Sequence, residues 1–395
     1  MSRVSGRVLV LDGMWNKSLA AVRALARRGL KVTAGECSRW ATALFSKHCS
    51  ERFLYPSPNA HPTAFLHALE QELETGKYDV VFPMEWTTQS LLTNPEARSR
   101  LERFVRIPFG DSSAAALLND KSFVMRKAET LGIAIPRTWH PSSVDEVLEV
   151  GGQASYPLLI KPRSSSGSRG ILPVGGSQDL VTAYLRVHAQ YPRPIIQERI
   201  PSGGESLGVC VLLNAASEVR ATFAYRKIRQ YPVQGGPSTL RESVRHDDVA
   251  AAAARFLQAV GWSGVAHLEF MVDPRDGIPK LLEVNPRFWG SLALAVEAGV
   301  DFPYLLYRMA MDGDIAPATD DYPEGIVCRW LLPGDMLHFM ANRERLRLTP
   351  GFFDFRAKDD ILSLSDPLPV LGRVLSLFPL MFDPDMRKLI SRRPQ

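Results

Sequence analysis

Two glutamates, Glu269 in GVAHLEFMVD and Glu283 in PKLLEVNPRF, sit in apolar stretches joined by a turn-like PRDG. Strand alternation puts His267, Glu269 and Met271 on one face of the first stretch, and Leu281, Glu283 and Asn285 on one face of the second. A hairpin closed near 274–278 would bring Glu269 to the Glu283/Asn285 pair. Two carboxylates crowded among Val, Phe and Leu repel each other and lose hydration unless positive charge joins them. Either basic side chains on a half-exposed sheet supply that charge, or a divalent cation does, with Glu283 shared if there are two ions. Carboxylate and amide oxygens suit a hard ion such as magnesium, or manganese in its place.

A second stretch, KPRSSSGSRG, starts at Lys161 directly after the apolar YPLLI. It is either a basic surface loop or a clamp for phosphate. It is not a Walker A loop, since the lysine precedes the glycines and no GxxxxGK[ST] follows. With Lys121 and the distant carboxylates it makes a coherent set. Lysines neutralise phosphate oxygens, the loop offers backbone N–H groups, and the carboxylates hold a metal.

The elements around these residues follow from pattern. RVLVLDG reads as a buried strand, SLAAVRALARRG as a helix closed by glycine, and YDVVFPMEW as a further strand, so the first 110 or so residues form a βαβ layer. The first turn, DGMWNKS, lacks the GxGxxG of a dinucleotide site. A helix over NDKSFVMRKAETLG precedes strands at YPLLIKP and RPIIQERI, and GILPV reads as a return strand. LGVCVLL and VRATFAYRKI read as hairpin strands, and DVAAAAARFLQAVG as a helix. From about 323 the chain turns rich in Pro, Leu and Asp without a clean period, and a small closing subdomain is expected there.

Bulk composition narrows the class. The 395 residues allow several buried cores, and 45% hydrophobic with 23% charged content is that of a globular protein. A formal charge of +5 fits small anions as well as nucleic acid, and no aromatic or zinc module accompanies the dispersed basic residues. Four scattered cysteines exclude a CxxC zinc site and a disulfide scaffold. MSRVSGRVLVLDG lacks a secretory leader's apolar core, and no run is long enough to span a bilayer, so a cytoplasmic location is expected.

The order DKSFVMRKAETLGIAIP, LLIKPRSSSGSRGI, IIQERIPSGGES, GVAHLEFMVD and KLLEVNPRFWGS resembles the ATP-grasp superfamily. The resemblance is strongest to its carbamoyl-phosphate-synthase-like and biotin-carboxylase-like amino acid ligase branches, and it covers roughly 110–300. It implies a mixed α/β and α+β architecture with a doubly wound amino-terminal domain. The expected divisions are 1–115, a small subdomain at 116–192, a large one at 193–322 and a closing one at 323–395.

Carried onto this chain, Lys121 and Lys161 would contact ATP phosphates under a lid of Ser164, Ser165, Ser166, Gly167, Ser168 and Gly170. Gln197, Glu198, Arg199 and Ile200 would read the adenine, and Glu205 would hold the ribose. Glu269, Glu283 and Asn285 would ligate magnesium, and Arg287, with Ser291 lining the same cavity, would stabilise a phosphorylated carboxylate. The implied reaction joins a carboxylate to an amine through an acyl phosphate, releasing ADP and phosphate. Carboxylation, carbamoyl phosphate formation and a nucleotide-binding role without turnover are the alternatives, and a homodimer is frequent in the superfamily.

Three further stretches stand out. In YRKIRQYPVQGGPST, Arg226 or Lys227 either anchors phosphate or an acidic substrate, or forms a solvated basic edge. Glu85, in PMEWTTQS, either receives a substrate amine or caps the following helix, with the cap favoured. His267 and the Phe288–Trp289 pair are read first as packed residues.

Overall fold

The computed structural model describes residues 6–165, 169–318 and 321–382, and side chains to 377. The chain opens with β1 (Arg7–Val10), α1 (Asn16–Arg27), β2 (Lys31–Glu36), β3 (Glu51–Leu54), α2 (Pro62–Gly76), β4 (Val80–Phe82) and α3 (Trp86–Leu92). The strands form a parallel sheet in the order β3-β2-β1-β4. Such strands are covered on both faces, which is why Val8 to Val10 and Val80 to Phe82 are apolar without alternation. The path runs outward from β1 through β2 to β3 and then returns to β4 on the other side. The loops after β1 and β4 therefore flank the point where such sheets place ligands.

A linking stretch, α4 (Pro95–Leu101), α5 (Ser112–Asn119) and α6 (Lys121–Thr130), leads to a second sheet. Here β5 (Thr138–Trp139), α7 (Val144–Gln153), β6 (Leu158–Lys161), β7 (Leu172–Val174), α8 (Ser177–His188) and β8 (Ile195–Glu198) give an antiparallel β5-β8-β6-β7 sheet. The helices α7 and α8 cover one side through Val147, Leu180 and Tyr184. The strands that flank the basic stretch, β6 and β7, are thus adjacent and antiparallel.

The third sheet is built from β9 (Ser206–Leu213), β10 (Val219–Gln230), β11 (Ser238–Val244), β12 (Gly264–Val272) and β13 (Pro279–Asn285), with α9 (Asp247–Ala259) between β11 and β12. One face packs on α9 through Val209, Leu268 and Phe256. The other packs toward the amino-terminal domain through Cys210, Phe223 and Tyr225. Two covered faces explain why β9, LGVCVLL, is buried throughout rather than alternating.

After α10 (Leu292–Glu297) and α11 (Phe302–Asp312), the strands β14 (Val327–Arg329) and β15 (Lys358–Asp359), with α12 (Met336–Ala341) between them, extend this same sheet to β13-β12-β9-β10-β11-β14-β15. The segment expected to start a separate closing subdomain at 323 is therefore hydrogen-bonded to β11 as an edge of the large sheet. The final helix, α13 (Leu368–Phe382), returns to the amino-terminal domain, where Arg373 donates to Met14 O at 2.8 Å and to Asn16 Oδ1 at 2.7 Å.

Candidate active site

The register of β12 against β13 sets Glu269 directly opposite Glu283, and His267 directly opposite Asn285. Residues directly opposed in an antiparallel pair share a face, so both carboxylates and the amide lie on one side of the sheet. Gly208 of β9 pairs with both Glu269 and Tyr225, and a Cβ there would come within 2.3 Å of the Tyr225 ring. A side chain at this position would displace the Tyr225 ring beside the carboxylates.

Lysines from three separate elements meet these acids. Lys227 Nζ lies 2.6 Å from Glu269 Oε2, and Lys121 Nζ lies 3.4 Å from Glu283 Oε2. Lys161 and Lys227 also act on Glu283 through space. Burial by itself would raise the Glu283 pKa, but Lys121, the Asn285 amide at 3.2 Å, Lys227 and Lys161 together outweigh it and hold it at about 2. Burial pushes Lys161 down to about 8, assisted by repulsion from Lys121 and opposed by Glu283 and Glu269. The two carboxylates are outnumbered by Lys121, Lys161 and Lys227, a surplus that suits a polyanion.

No group of three or more His, Cys, Asp or Glu side chains arranged for a metal ion occurs among the described residues. The donor set here is two carboxylates and the Asn285 amide oxygen. Magnesium fits that set, because it binds through one or two carboxylates and completes its shell with water and phosphate oxygens. His267 is no ligand. Its Nε2 is 2.9 Å from the Tyr225 hydroxyl, its ring stacks 5.8 Å from Tyr225 and 5.9 Å from Trp289, and burial depresses its pKa to about 3.

The small subdomain carries the residues expected to form a phosphate loop. Lys121 follows the N-cap of α6, Asp120, whose side chain accepts from Ser122 N and pairs with Arg163. Lys121 Nζ also donates to Ser165 O at 2.9 Å, tying the loop to the lysine beside Glu283. Ser164 and Ser165 lie at the loop's entry, Gly170 turns its exit at φ +74, and Ser166, Gly167 and Ser168 fall outside the described residues. Lys161 Nζ donates to Gln197 Oε1 at 2.5 Å, so Gln197 engages the lysine through its side chain.

Other expected site residues are occupied by protein partners. Glu198 and Asp273 both pair with Arg275, Arg199 N donates to Pro157 O at 3.2 Å, and Ile200 is buried. Strand alternation separates Arg226 from Lys227: Arg226 bridges Glu205 at 3.0 Å and Glu242 at 2.7 Å, and Lys227 alone of the two reaches the carboxylates. Glu85 stands at the N-cap position of α3 but makes no side-chain cap; its carboxylate is 2.5 Å from Lys17 Nζ. The favoured cap reading of Glu85 is thereby corrected: its carboxylate is paired with the buried Lys17. Phe288 and Trp289 pack in the core against Phe82, Phe109 and Phe302, and Ser291 is buried next to Tyr225.

Arg287 leaves β13 two residues beyond Asn285, donating to Asn285 Oδ1 at 3.2 Å and to Phe288 O at 3.1 Å. It also lies close enough to Lys17 and Glu85 to shift both, so the amino-terminal sheet reaches the site. The pattern reading missed this. Asp12, at φ +59 in the DGMWNKS turn, accepts on Oδ2 from Met84 N at 2.9 Å, Glu85 N at 2.8 Å and Thr88 Oγ1 at 2.6 Å. Burial, then repulsion from Glu36 and Glu85, raises its pKa to about 7. The available signal was an Asp-Gly turn directly after a buried strand, with a lysine in the first turn of the helix that follows.

The family model described as ATP-grasp in the biosynthetic pathway with Ter operon matches residues 214–331. The vancomycin/teicoplanin A-type resistance protein VanA of Enterococcus faecium is 26% identical over 302 residues, which is 71% of this chain and 84% of VanA. The carbamoyl phosphate synthase large chain of Rubrobacter xylanophilus is 24% identical over 212 residues, 51% of this chain but only 20% of that protein. Campylobacter jejuni biotin carboxylase, solved as a β-γ-ATP complex, superposes with a TM-score of 0.68 at 16% identity, covering 81% of this chain and 74% of that one. N5-carboxyaminoimidazole synthetase from Staphylococcus aureus superposes with a TM-score of 0.61 at 14% identity, covering 81% and 80%.

Proposed function

We propose that this chain, an ATP-grasp protein, activates a carboxylate with ATP and joins it to an amine, of an amino acid or peptide-like substrate. One observation carries the reading: Lys121, Lys161 and Lys227, from three separate segments, converge on one cross-strand pair of carboxylates, with Arg287 bonded to the neighbouring Asn285. Ammonium groups gathered from separate segments beside two carboxylates suit a nucleotide triphosphate and its metal.

In this reading Lys121 and Lys161 neutralise phosphate oxygens beneath the 164–170 loop, and Glu269, Glu283 and Asn285 Oδ1 hold magnesium, which supplies charge stabilisation to the phosphates. A substrate carboxylate oxygen attacks the γ-phosphorus, the bond to the β-phosphate bridging oxygen breaks, and ADP leaves. The amine nitrogen then attacks the acyl carbon, and phosphate and a proton are released. Arg287 faces the transferring phosphoryl group and stabilises its charge. No covalent enzyme nucleophile is needed; positioning and electrostatics carry the rate. The reading places the protein in the cytoplasm, where ATP is supplied, as a homodimer with small-molecule substrates. Among the described residues, no helix is long and apolar enough to cross a membrane.

The test is ADP release from magnesium-ATP against pooled carboxylic acids and pooled amines, with Glu283→Gln as control. Release that requires both pools and vanishes in the variant supports ligation. Release with bicarbonate alone points to carboxylation instead. Magnesium-dependent ATP binding without turnover points to a regulatory role, and no binding rejects the reading.

A further inference from the structure

The backbone around Arg287 is held from outside the ATP-grasp subdomains. Gln89 of α3, fully buried, donates through Nε2 to Pro286 O at 2.7 Å. Lys17 of α1, 3% exposed, donates through Nζ to Phe288 O at 3.2 Å. These are the carbonyls immediately before and after Arg287, and Phe288 O also accepts from the Arg287 guanidinium at 3.1 Å. Both donors belong to the helices that follow the loops at the switch point of the amino-terminal sheet.

The supports are themselves fixed. Asp12 locks the loop after β4 by taking Met84 N, Glu85 N and the Thr88 hydroxyl, and Glu85 then anchors Lys17 at 2.5 Å. A continuous path runs from β1 through Asp12, Glu85 and Lys17 to the carbonyl beside Arg287. Gln89 has a further peculiarity: its Oε1 is buried with no hydrogen-bond partner among the described residues. A buried amide oxygen left without a donor is a cost that a leucine would avoid. The amide is therefore unfavourable for packing alone and is useful for the one bond its nitrogen makes.

We infer that Lys17 and Gln89 are positioning residues that set the placement of Arg287, making the amino-terminal domain part of the catalytic device. The inference rests on the proposed role of Arg287 in phosphoryl transfer. Among the described residues, neither has a hydrogen bond or ion pair to Lys121, Lys161, Lys227, Glu269 or Glu283, so the loss is expected in kcat rather than in nucleotide affinity.

The experiment compares the wild type with Gln89→Leu, Gln89→Met and Lys17→Arg in the full chain. Steady-state ADP release is measured with the acid and amine pools, and hydrogen exchange of segment 284–290 is measured with magnesium-ADP present. Both Gln89 variants should lower kcat about 100-fold, the effect of a misplacement near 1 Å, with KM for ATP within about twofold of wild type. Exchange should rise in 284–290 and not across the sheet. Lys17→Arg, which keeps charge and donors, should retain most of kcat. Unchanged kcat in both Gln89 variants overturns the inference, as does a fall in kcat matched by a rise in KM and by faster exchange throughout. If the wild type shows no turnover, the ligase reading fails. Exchange then decides alone, and an unaltered 284–290 segment overturns the grip.

Discussion

Two regions of this molecule bury opposite charges on the same sheet, and they do it differently. At the carboxy-terminal edge, Asp335 is fully buried and saturated: it accepts from Arg229 Nε at 2.9 Å, Arg229 Nη2 at 2.8 Å, Arg329 Nε at 2.7 Å and Thr239 Oγ1 at 2.9 Å. Its partners are planar guanidinium groups, and Arg329 also lies 4.4 Å from the centre of the Phe352 ring. At the candidate active site the cations paired to the carboxylates are lysines, one contact is 3.4 Å long, and three lysines act on two carboxylates. Guanidinium forks give fixed, directional pairing, whereas an ammonium on a flexible stem changes partners easily. The difference lies in the carboxylates: Asp335 has both oxygens taken by short, fixed donors, whereas Glu283 is held by longer contacts to Lys121 and Asn285 and by charge at a distance.

Breaking each cluster tests that distinction. Glu283→Gln should lower ADP release by about 1,000-fold, of the order seen when one electrostatic stabiliser is removed, with little change in thermal midpoint. Steady-state kinetics and calorimetry on the same sample check both parts. Asp335→Asn should do the reverse. Leaving Arg229 and Arg329 buried without their carboxylate should cost about 3–5 kcal/mol of stability, read from urea unfolding, while turnover per folded molecule is preserved at low temperature.

The pH dependence sharpens the same contrast. With its pKa lowered to about 8, Lys161 is charged below that pH and loses its proton above it. Because phosphate binds the charged form, the Kd for magnesium-ATP should be flat below pH 8 and rise by up to about tenfold per unit above it. Lys161→Arg should remove the dependence, since guanidinium stays charged; a profile unaltered in that variant would refute the assignment. The smallest effect belongs to Arg226→Gln. Its partner Glu205 has a side chain 54% exposed, so chemical denaturation should shift by less than about 1 kcal/mol.

Local chemistry was readable without coordinates wherever neighbours in sequence are also neighbours in space. The β12–β13 hairpin has a short turn and period-two side chains, so the pairing of Glu269 with Glu283 follows from alternation. The lysine before a serine-glycine loop is a local pattern too, and its companion Lys121 reaches that loop at Ser165. The choice between Arg226 and Lys227 was not local, because it depended on which face of β10 meets the carboxylates.

The sequence by itself determined the alternating α/β start, the small antiparallel sheet with its basic loop, and the face on which two glutamates and Asn285 stand. Each depends on backbone periodicity and on turn residues acting over a few positions. Only the tertiary structure decided that β14 and β15 complete the large sheet, and that Asp335 gathers Arg229 and Arg329. It alone brought Gln89 and Lys17 to the carbonyls flanking Arg287, across 197 and 271 residues of chain. Hydrogen bonds to main-chain carbonyls carry no side-chain signature at the acceptor, so no spacing in the sequence announces them. They exist because two separately patterned layers pack face to face.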